Sequence, residues 1–357
     1  MASRLKIALL FGGRSGEHEV SVRSAESVAP GLWPRFDVLP VLIDHGGRWW
    51  LQEENAAVLP RGGTPVFVVP SPEDAGALRR LDDAEVAARP DVYFPVLHGT
   101  YGEDGTIQGL LELAGVPFVG SGTAASAAAM DKVLMKALFT AAALPQAAYR
   151  VLLARDRPRA AAIVEPLGLP VFVKPANLGS SVGVSKVKEA SALAGALDVA
   201  FAYDRKVVVE AAVPGAREIE ISVLGNDDAQ ASLPGEIIPD REFYDYDSKY
   251  SADSKTVLKI PAPLDAAATA EVRRLGVQVF NSVDASGYAR VDFLMERVTG
   301  KLVVNEINTI PGFTSISMFP KLWAATGLAY EELLGRLVQL GLDRHQERAS
   351  LKTDYGR

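Results

Sequence analysis

The 357-residue chain contains no cysteine. That excludes disulfides, thiolate metal sites and a cysteine nucleophile. Histidine is also scarce, with only His18, His45, His98 and His345. So small a number argues against a multi-histidine zinc centre. No apolar run approaches membrane-spanning length, and the Ile7–Phe11 run is too short for a secretion signal, so a soluble cytoplasmic protein is expected. Positive charge is in deficit. The formal net charge of −7 argues against a nucleic-acid or anionic-membrane partner, so an anionic substrate would need local basic residues. Lysine is scarcer still, thirteen against twenty-four arginines, which gives weight to any lysine inside a motif. Neither an internal repeat nor a low-complexity segment is present.

Apolar residues make up 48% of the chain, enough for the cores of two or three domains. The richest stretch runs from Arg290 to Pro320. Alternation at Val291, Phe293 and Met295, and more loosely at Leu302, Val304 and Ile307, predicts two strands joined at Thr299-Gly300. Period-two geometry puts Glu306 and Asn308 on one face, where Asp292 of the partner strand can meet them. Two carboxylates and an amide form an all-oxygen set, suited to a hard cation such as Mg²⁺. A solvated polar face would look the same. Arg290 beside the acids, and the Gly/Ser/Thr-rich turn after them, favour a site, because such a turn offers N–H groups to an oxyanion or carboxylate.

Earlier in the chain, residues 5–11 read as a buried parallel strand running through Gly12-Gly13 into a helix starting near Glu17. A glycine turn into a helix N-terminus suits an anion or small polar ligand, but the dinucleotide-binding glycine pattern is not matched. Glu17 either meets a ligand or complements the helix dipole. Val38–Ile43 and Asp91–Leu97 are expected strands, the latter ending at His98-Gly99. Thr106–Ala114 is an expected helix and Val116–Val119 a short strand, with a domain boundary near residue 125. Ala124–Ala143 reads as one helix carrying Met130-Asp131-Lys132. The strand Pro170–Pro175 ends in Lys174 and leads into a small-residue loop, Gly179-Ser180-Ser181-Val182-Gly183, able to lie over phosphates. It is not a Walker-type loop. Lys206–Ala211 is a strand whose end near Glu210 could offer backbone groups to an adenine, and Glu218 begins the next strand where a ribose carboxylate would fit. Residues 243–254 are polar and aromatic without periodicity, suggesting a lid. An amphipathic helix spans 265–286, and a last helix, about Tyr330–Leu342, precedes a charged tail expected to fray.

In order, these motifs are Gly-Gly-x-Ser-x-Glu17, His98-Gly-x-x-Gly-Glu-Asp-Gly, Met-Asp-Lys132, Lys174-Pro-x-x-x-Gly-Ser180-Ser-Val-Gly, Tyr-Asp-Tyr-x-x-Lys249-Tyr250, Arg290-x-Asp292 and Asn-Glu306-x-Asn308-Thr-x-Pro-Gly. Together they resemble the D-alanine–D-alanine ligases of the ATP-grasp superfamily, from Gly12-Gly13 to about Leu334. The resemblance implies an α/β, three-domain ATP-grasp fold with an N-terminal doubly wound parallel-sheet domain. The divisions would be 1–125, 126–215 and 216–345, with a tail at 346–357. It implies ATP-dependent joining of two D-alanines through a D-alanyl phosphate, for peptidoglycan precursor synthesis, by a homodimer.

On that resemblance, Lys132 and Lys174 contact the ATP phosphates and the loop with Ser181 covers them. The segment after Glu210 meets the adenine, Glu218 the ribose, and Lys249 the γ-phosphate. Asp292, Glu306 and Asn308 hold two Mg²⁺ (or Mn²⁺) ions. Glu17 pairs with the first D-alanine's ammonium, near whose carboxylate His98 lies. Arg290 and the Gly312 N–H hold the oxyanion, while Ser317 and the Met318 N–H take the second D-alanine's carboxylate. Tyr250 with Ser180 links the lid to Glu17. Thr100 and Ile310 fill variable slots expected to stay away from the chemistry. Two alternatives remain at this stage: a related ligase with a D-lactate or D-serine acceptor, and a non-catalytic ATP-binding regulator. Tyr250 favours an amine acceptor over lactate, and the intact acids, Arg290 and lid pair favour an enzyme.

Overall fold

Ile7 through Phe11 are all fully buried, as a parallel strand covered on both faces requires. A computed structural model describes residues 4–59, 61–239, 256–314 and 316–352 of the chain. In it the strand Lys6–Gly12 pairs in parallel with Asp37–Ile43 on one side and Val92–Pro95 on the other. Ile7, Leu9 and Phe11 face helices His18–Leu32 and Tyr330–Ser350, whereas Ala8 and Leu10 face helix Thr106–Leu113, so helices cover both sides. Beyond Asp37–Ile43 the sheet continues as an antiparallel ribbon, Trp49–Leu51, Thr64–Val68, Leu78–Arg80 and Val86–Ala88. Three of these strands have only three residues, too few to show alternation. The expected strand Val116–Val119 reduces to one bridge, Tyr93 with Phe118.

A second, four-stranded sheet has the order Ser185–Val187, Val171–Pro175, Lys206–Ala211, Tyr149–Leu153, all antiparallel. Helix Leu193–Phe201 covers one face. The third sheet runs Val257–Lys259, Gly235–Ile238, Arg217–Gly225, Gly287–Met295, Leu302–Asn308, with Gln230–Ala231 pairing alongside. Val272, Leu275 and Val279 of helix Ala266–Ser282 seal that sheet's apolar face. Among the described residues no helix is long and apolar enough to cross a membrane.

Two expectations need correction. The single helix over 124–143 is two, Thr123–Met130 and Lys132–Ala141. Asp131 between them is extended (φ −83°, ψ 102°), and its carboxylate accepts the N–H groups of Val133 and Leu134 at 3.0 and 3.3 Å. Aspartate competes well for that capping role, so the chain restarts its helix there. Lys132 consequently opens a fresh first turn, its N–H bonded to Ala176 O at 2.9 Å. The second correction is the tail. The last helix continues to Ser350, because Arg348 pairs with Glu112 at 2.7 Å and Arg344 stacks on Phe118 at 4.1 Å. Those anchors are cationic, so an apolar pattern does not reveal them.

Candidate active site

Pairing in the C-terminal hairpin puts Asp292 opposite Glu306 and Arg290 opposite Asn308, with a register shift directly after Asp292. Directly opposed residues share a face, so all four side chains crowd together. Arg290 grips Asp292 with two bonds, Nε to Oδ1 at 2.6 Å and Nη2 to Oδ2 at 2.7 Å. Its Nε also lies 3.0 Å from Glu220, whose strand puts it opposite Asp292. Burial pulls the guanidinium's pKa down, but Asp292 and Glu220 outweigh it and hold Arg290 well above its usual value. Asn308 Nδ2 donates to Asp292 Oδ2 at 3.1 Å. Among the described residues no cluster of three His, Cys, Asp or Glu side chains forms a ready metal cage. The Asp292–Glu306–Asn308 set, two acids and one amide, is still all-oxygen and fits Mg²⁺ or Mn²⁺, ions that take few protein ligands and fill the rest with water and phosphate.

Facing these acids across a cleft of about 150 Å³ are lysines from the central sheet and its neighbouring helix. Lys132 Nζ bonds Leu178 O at 2.6 Å, and Lys174 Nζ reaches Glu210 at 2.5 Å and Asn305 Oδ1 at 3.3 Å. Burial lowers the Lys132 ammonium. Lys174 feels the same desolvation, but Glu210 beside it more than offsets this and raises it. Glu218 and Ser181 line the same cleft. Ser180 and Ser181 both take left-handed backbone (φ 48° and 59°), an uncommon conformation for residues with a Cβ that curls the loop tightly.

Ser180 Oγ donates to Glu17 Oε1, tying that loop to the start of helix His18–Leu32. Glu17 makes no capping bond to its own helix; its side chain turns to the Ser180 loop instead. Gly99, at φ +77°, lets a second loop close on it, since a Cβ there would lie 2.7 Å from Glu17 Oε2. His98 is buried and bonded at both nitrogens, Nε2 with Ser24 Oγ at 2.9 Å and Nδ1 with Ile310 O at 3.0 Å. Burial keeps it below the ordinary histidine range, so Nδ1 carries the proton donated to Ile310. Ile310 thus holds the His98 ring through its carbonyl. The turn it begins is fixed by Phe313, whose ring meets Tyr288 at 5.6 Å and Phe319 at 5.2 Å. Gly312 lies against Ser317, where a Cβ would come within 2.8 Å of Oγ, and Met318 starts the next helix. Lys249 and Tyr250 lie outside the described residues, as does the whole lid.

Four groups escaped sequence reasoning: Lys136, Asn305, Glu220 and Glu103. Lys136 follows Lys132 by one helical turn and Glu220 alternates with Glu218, so spacing could have flagged both. Glu103 sits inside the His98 motif and accepts the Gly99 N–H at 2.8 Å. Burial, reinforced by the charge of Glu17, pushes its carboxyl up to about 8. A raised folded value favours the protonated form, so this contribution to stability is complete below the unfolded value of 4.5 and is lost as pH rises through about 8. Glu103→Gln should flatten the decline in stability between about pH 5 and 8, by up to about 4 kcal/mol. Denaturant titrations at each pH read this directly; parallel curves for parent and variant would contradict it.

A cleft with Lys174 of one sheet and Lys132 of a helix start on one side, and the acids of a second sheet on the other, makes the arrangement of an ATP-grasp ligase. The D-ala D-ala ligase N-terminus family matches residues 6–121, and the D-ala D-ala ligase C-terminus family matches 138–339. The D-alanine–D-alanine ligase of Heliobacterium modesticaldum is 50% identical over 98% of this chain and 97% of its own length. D-alanine–D-alanine ligase A of Bradyrhizobium diazoefficiens is 49% identical over 99% of this chain and 100% of its own. Among solved structures, the D-alanine–D-alanine ligase of Coxiella burnetii matches with a TM-score of 0.86 and 35% identity, covering 98% and 97% of the two chains. The VanG D-Ala:D-Ser ligase of Enterococcus faecalis matches with a TM-score of 0.86 and 34% identity, covering 95% and 100%. The chain belongs to the D-alanine–D-alanine ligase family.

Proposed function

We propose that the protein joins two D-alanines at the expense of ATP, giving D-alanyl-D-alanine for peptidoglycan precursors in the cytoplasm, and that it does so as a homodimer. The observation that carries this reading is the Ser180–Glu17 bond, which ties the loop flanking the lysine-and-acid cleft to a carboxylate able to take an amino group. In this reading Lys132 and Lys174 hold the triphosphate under the Ser181 loop, Glu218 takes the ribose, and the segment after Glu210 meets the adenine. Lys249 reaches the γ-phosphate. Asp292, Glu306 and Asn308 hold Mg²⁺ or Mn²⁺, which supplies neutralisation of phosphate charge.

Glu17 binds the ammonium of the first D-alanine, and His98 fixes the corner that receives it. The substrate carboxylate attacks the γ-phosphorus, releasing ADP and leaving a D-alanyl phosphate. The second D-alanine, its carboxylate on Ser317 and the Met318 N–H, attacks the acyl carbon through its neutral amine, whose nitrogen gives up one proton as the C–N bond forms. Arg290 and the Gly312 N–H hold the tetrahedral oxyanion, which collapses to dipeptide and phosphate. Tyr250 couples lid closure to Ser180 and Glu17, and closure excludes water that would hydrolyse the acyl phosphate. A D-serine or D-lactate acceptor is not favoured, because the relatives near 50% identity are D-alanine–D-alanine ligases.

Glu17→Gln tests the ammonium site. Removing one member of a half-buried charge pair costs about 2 kcal/mol or more, so KM for the first D-alanine should rise roughly thirtyfold with KM for ATP nearly unchanged. Equal rises for both substrates would make Glu17 a helix-start residue only.

A further inference from the structure

Lys136 is only 1% exposed and takes no part in the chemistry above. It follows Lys132 by one turn of helix Lys132–Ala141, and its ammonium pairs with Glu210 Oε1. The other oxygen of Glu210, Oε2, takes Lys174 at 2.5 Å. Glu210 is itself 4% exposed, and Lys174 opens on the cleft, so two lysines and one glutamate share a largely enclosed site with a formal excess of one positive charge. Burial would push the Glu210 carboxyl up, but Lys174 and Lys136 together hold it at about 2, so it stays ionised throughout the working range. Tyr149 closes the far side, its ring centroid 5.2 Å from Lys136 Nζ.

We infer that Lys136 is a positioning residue for the nucleotide: by occupying one oxygen of Glu210 it limits Lys174 to a single carboxylate contact and leaves the buried triad net positive towards the polyphosphate. This rests on ATP occupying the neighbouring cleft. Without Lys136, both oxygens of Glu210 would turn to Lys174, whose ammonium has three donors to give, and the site would become neutral. A neutral site repels nothing but attracts a polyphosphate less, and the loss grows with the charge of the ligand. The adenosine part is met by the segment after Glu210 and by Glu218 but carries no charge, so it should register the change little.

Calorimetric binding without D-alanine separates these contributions. Lys136→Met should weaken ATP about tenfold and ADP less, with adenosine unchanged within about twofold. Lys136→Met combined with Glu210→Gln restores a net charge of one on Lys174, and should bring ATP affinity back to within about threefold of the parent. If the single variant does not fold, the double variant carries the test, since a neutral amide at position 210 needs less compensation than a buried carboxylate. Unchanged ATP affinity in the single variant, equal weakening of adenosine and ATP, or a folded double variant that still binds ATP poorly would each overturn the inference. The parent is the control: if it binds no ATP, the assignment of the cleft falls first and this inference with it.

Discussion

Glu306→Gln is expected to abolish dipeptide synthesis, lowering kcat by at least about a thousandfold, while leaving the fold intact. The substitution keeps size and shape and removes one charge from the cleft face of the hairpin, directly opposite Asp292. That charge has two uses. In the proposed reading it joins Asp292 as an anionic ligand for the divalent cation, and it supports the ammonium forms of Lys132 and Lys174 across the cleft. A loss of about 4 kcal/mol in transition-state stabilisation corresponds to the thousandfold effect. Mn²⁺ binding followed by paramagnetic resonance should weaken in parallel, and Asn308→Ala should weaken it less, since a neutral amide contributes less to holding a cation. Thermal unfolding should be nearly unaffected. Near-normal turnover in Glu306→Gln would remove the metal role assigned to this face.

Arg290→Met carries the second large effect, and it has two separable parts. As a donor to the oxyanion, Arg290 is expected to contribute about 10²–10³ in kcat. As the cation between Asp292 and Glu220, it also balances two buried acids, and breaking such a pairing costs about 3–5 kcal/mol of stability. Adding Glu220→Gln to Arg290→Met should recover part of the stability by removing one acid, and none of the activity. Denaturant unfolding and turnover at saturating substrates measure the two parts independently. Recovery of activity along with stability would make Arg290 a structural counter-ion only.

The parts of this site that were legible in the sequence are those where local pattern and chemistry coincide. Alternation on both strands made the hairpin and its polar face legible, and Lys174 follows from its place at the end of an apolar run. The pairing of Asp292 with Glu306 depends on the register shift directly after Asp292, which alternation does not show. Glu17 was ambiguous, because a carboxylate at a helix start serves either the helix or a ligand; only the long-range bond from Ser180 shows where its side chain turns. Long-range partnership likewise hid Lys136 and Glu220, each of which looks like an ordinary charged residue until its partner on another element is placed beside it. The break at Asp131 was obscured by helix-favouring alanines and leucines on both sides, a propensity overridden by a capping carboxylate. The final helix outran its apolar pattern because Arg344 and Arg348 are held by Phe118 and Glu112, more than two hundred residues away. Pattern reports what a segment buries, and it is silent on what a distant segment will bring to it.

The central claim is that a D-alanine carboxylate oxygen attacks ATP and leaves with the phosphate. Supplying D-alanine labelled with ¹⁸O in its carboxylate, and analysing the released phosphate by mass spectrometry, tests this most directly. One labelled oxygen should appear in each phosphate, formed one-for-one with D-alanyl-D-alanine, and L-alanine should support neither. Unlabelled phosphate, or phosphate released at the same rate with L-alanine, would contradict it.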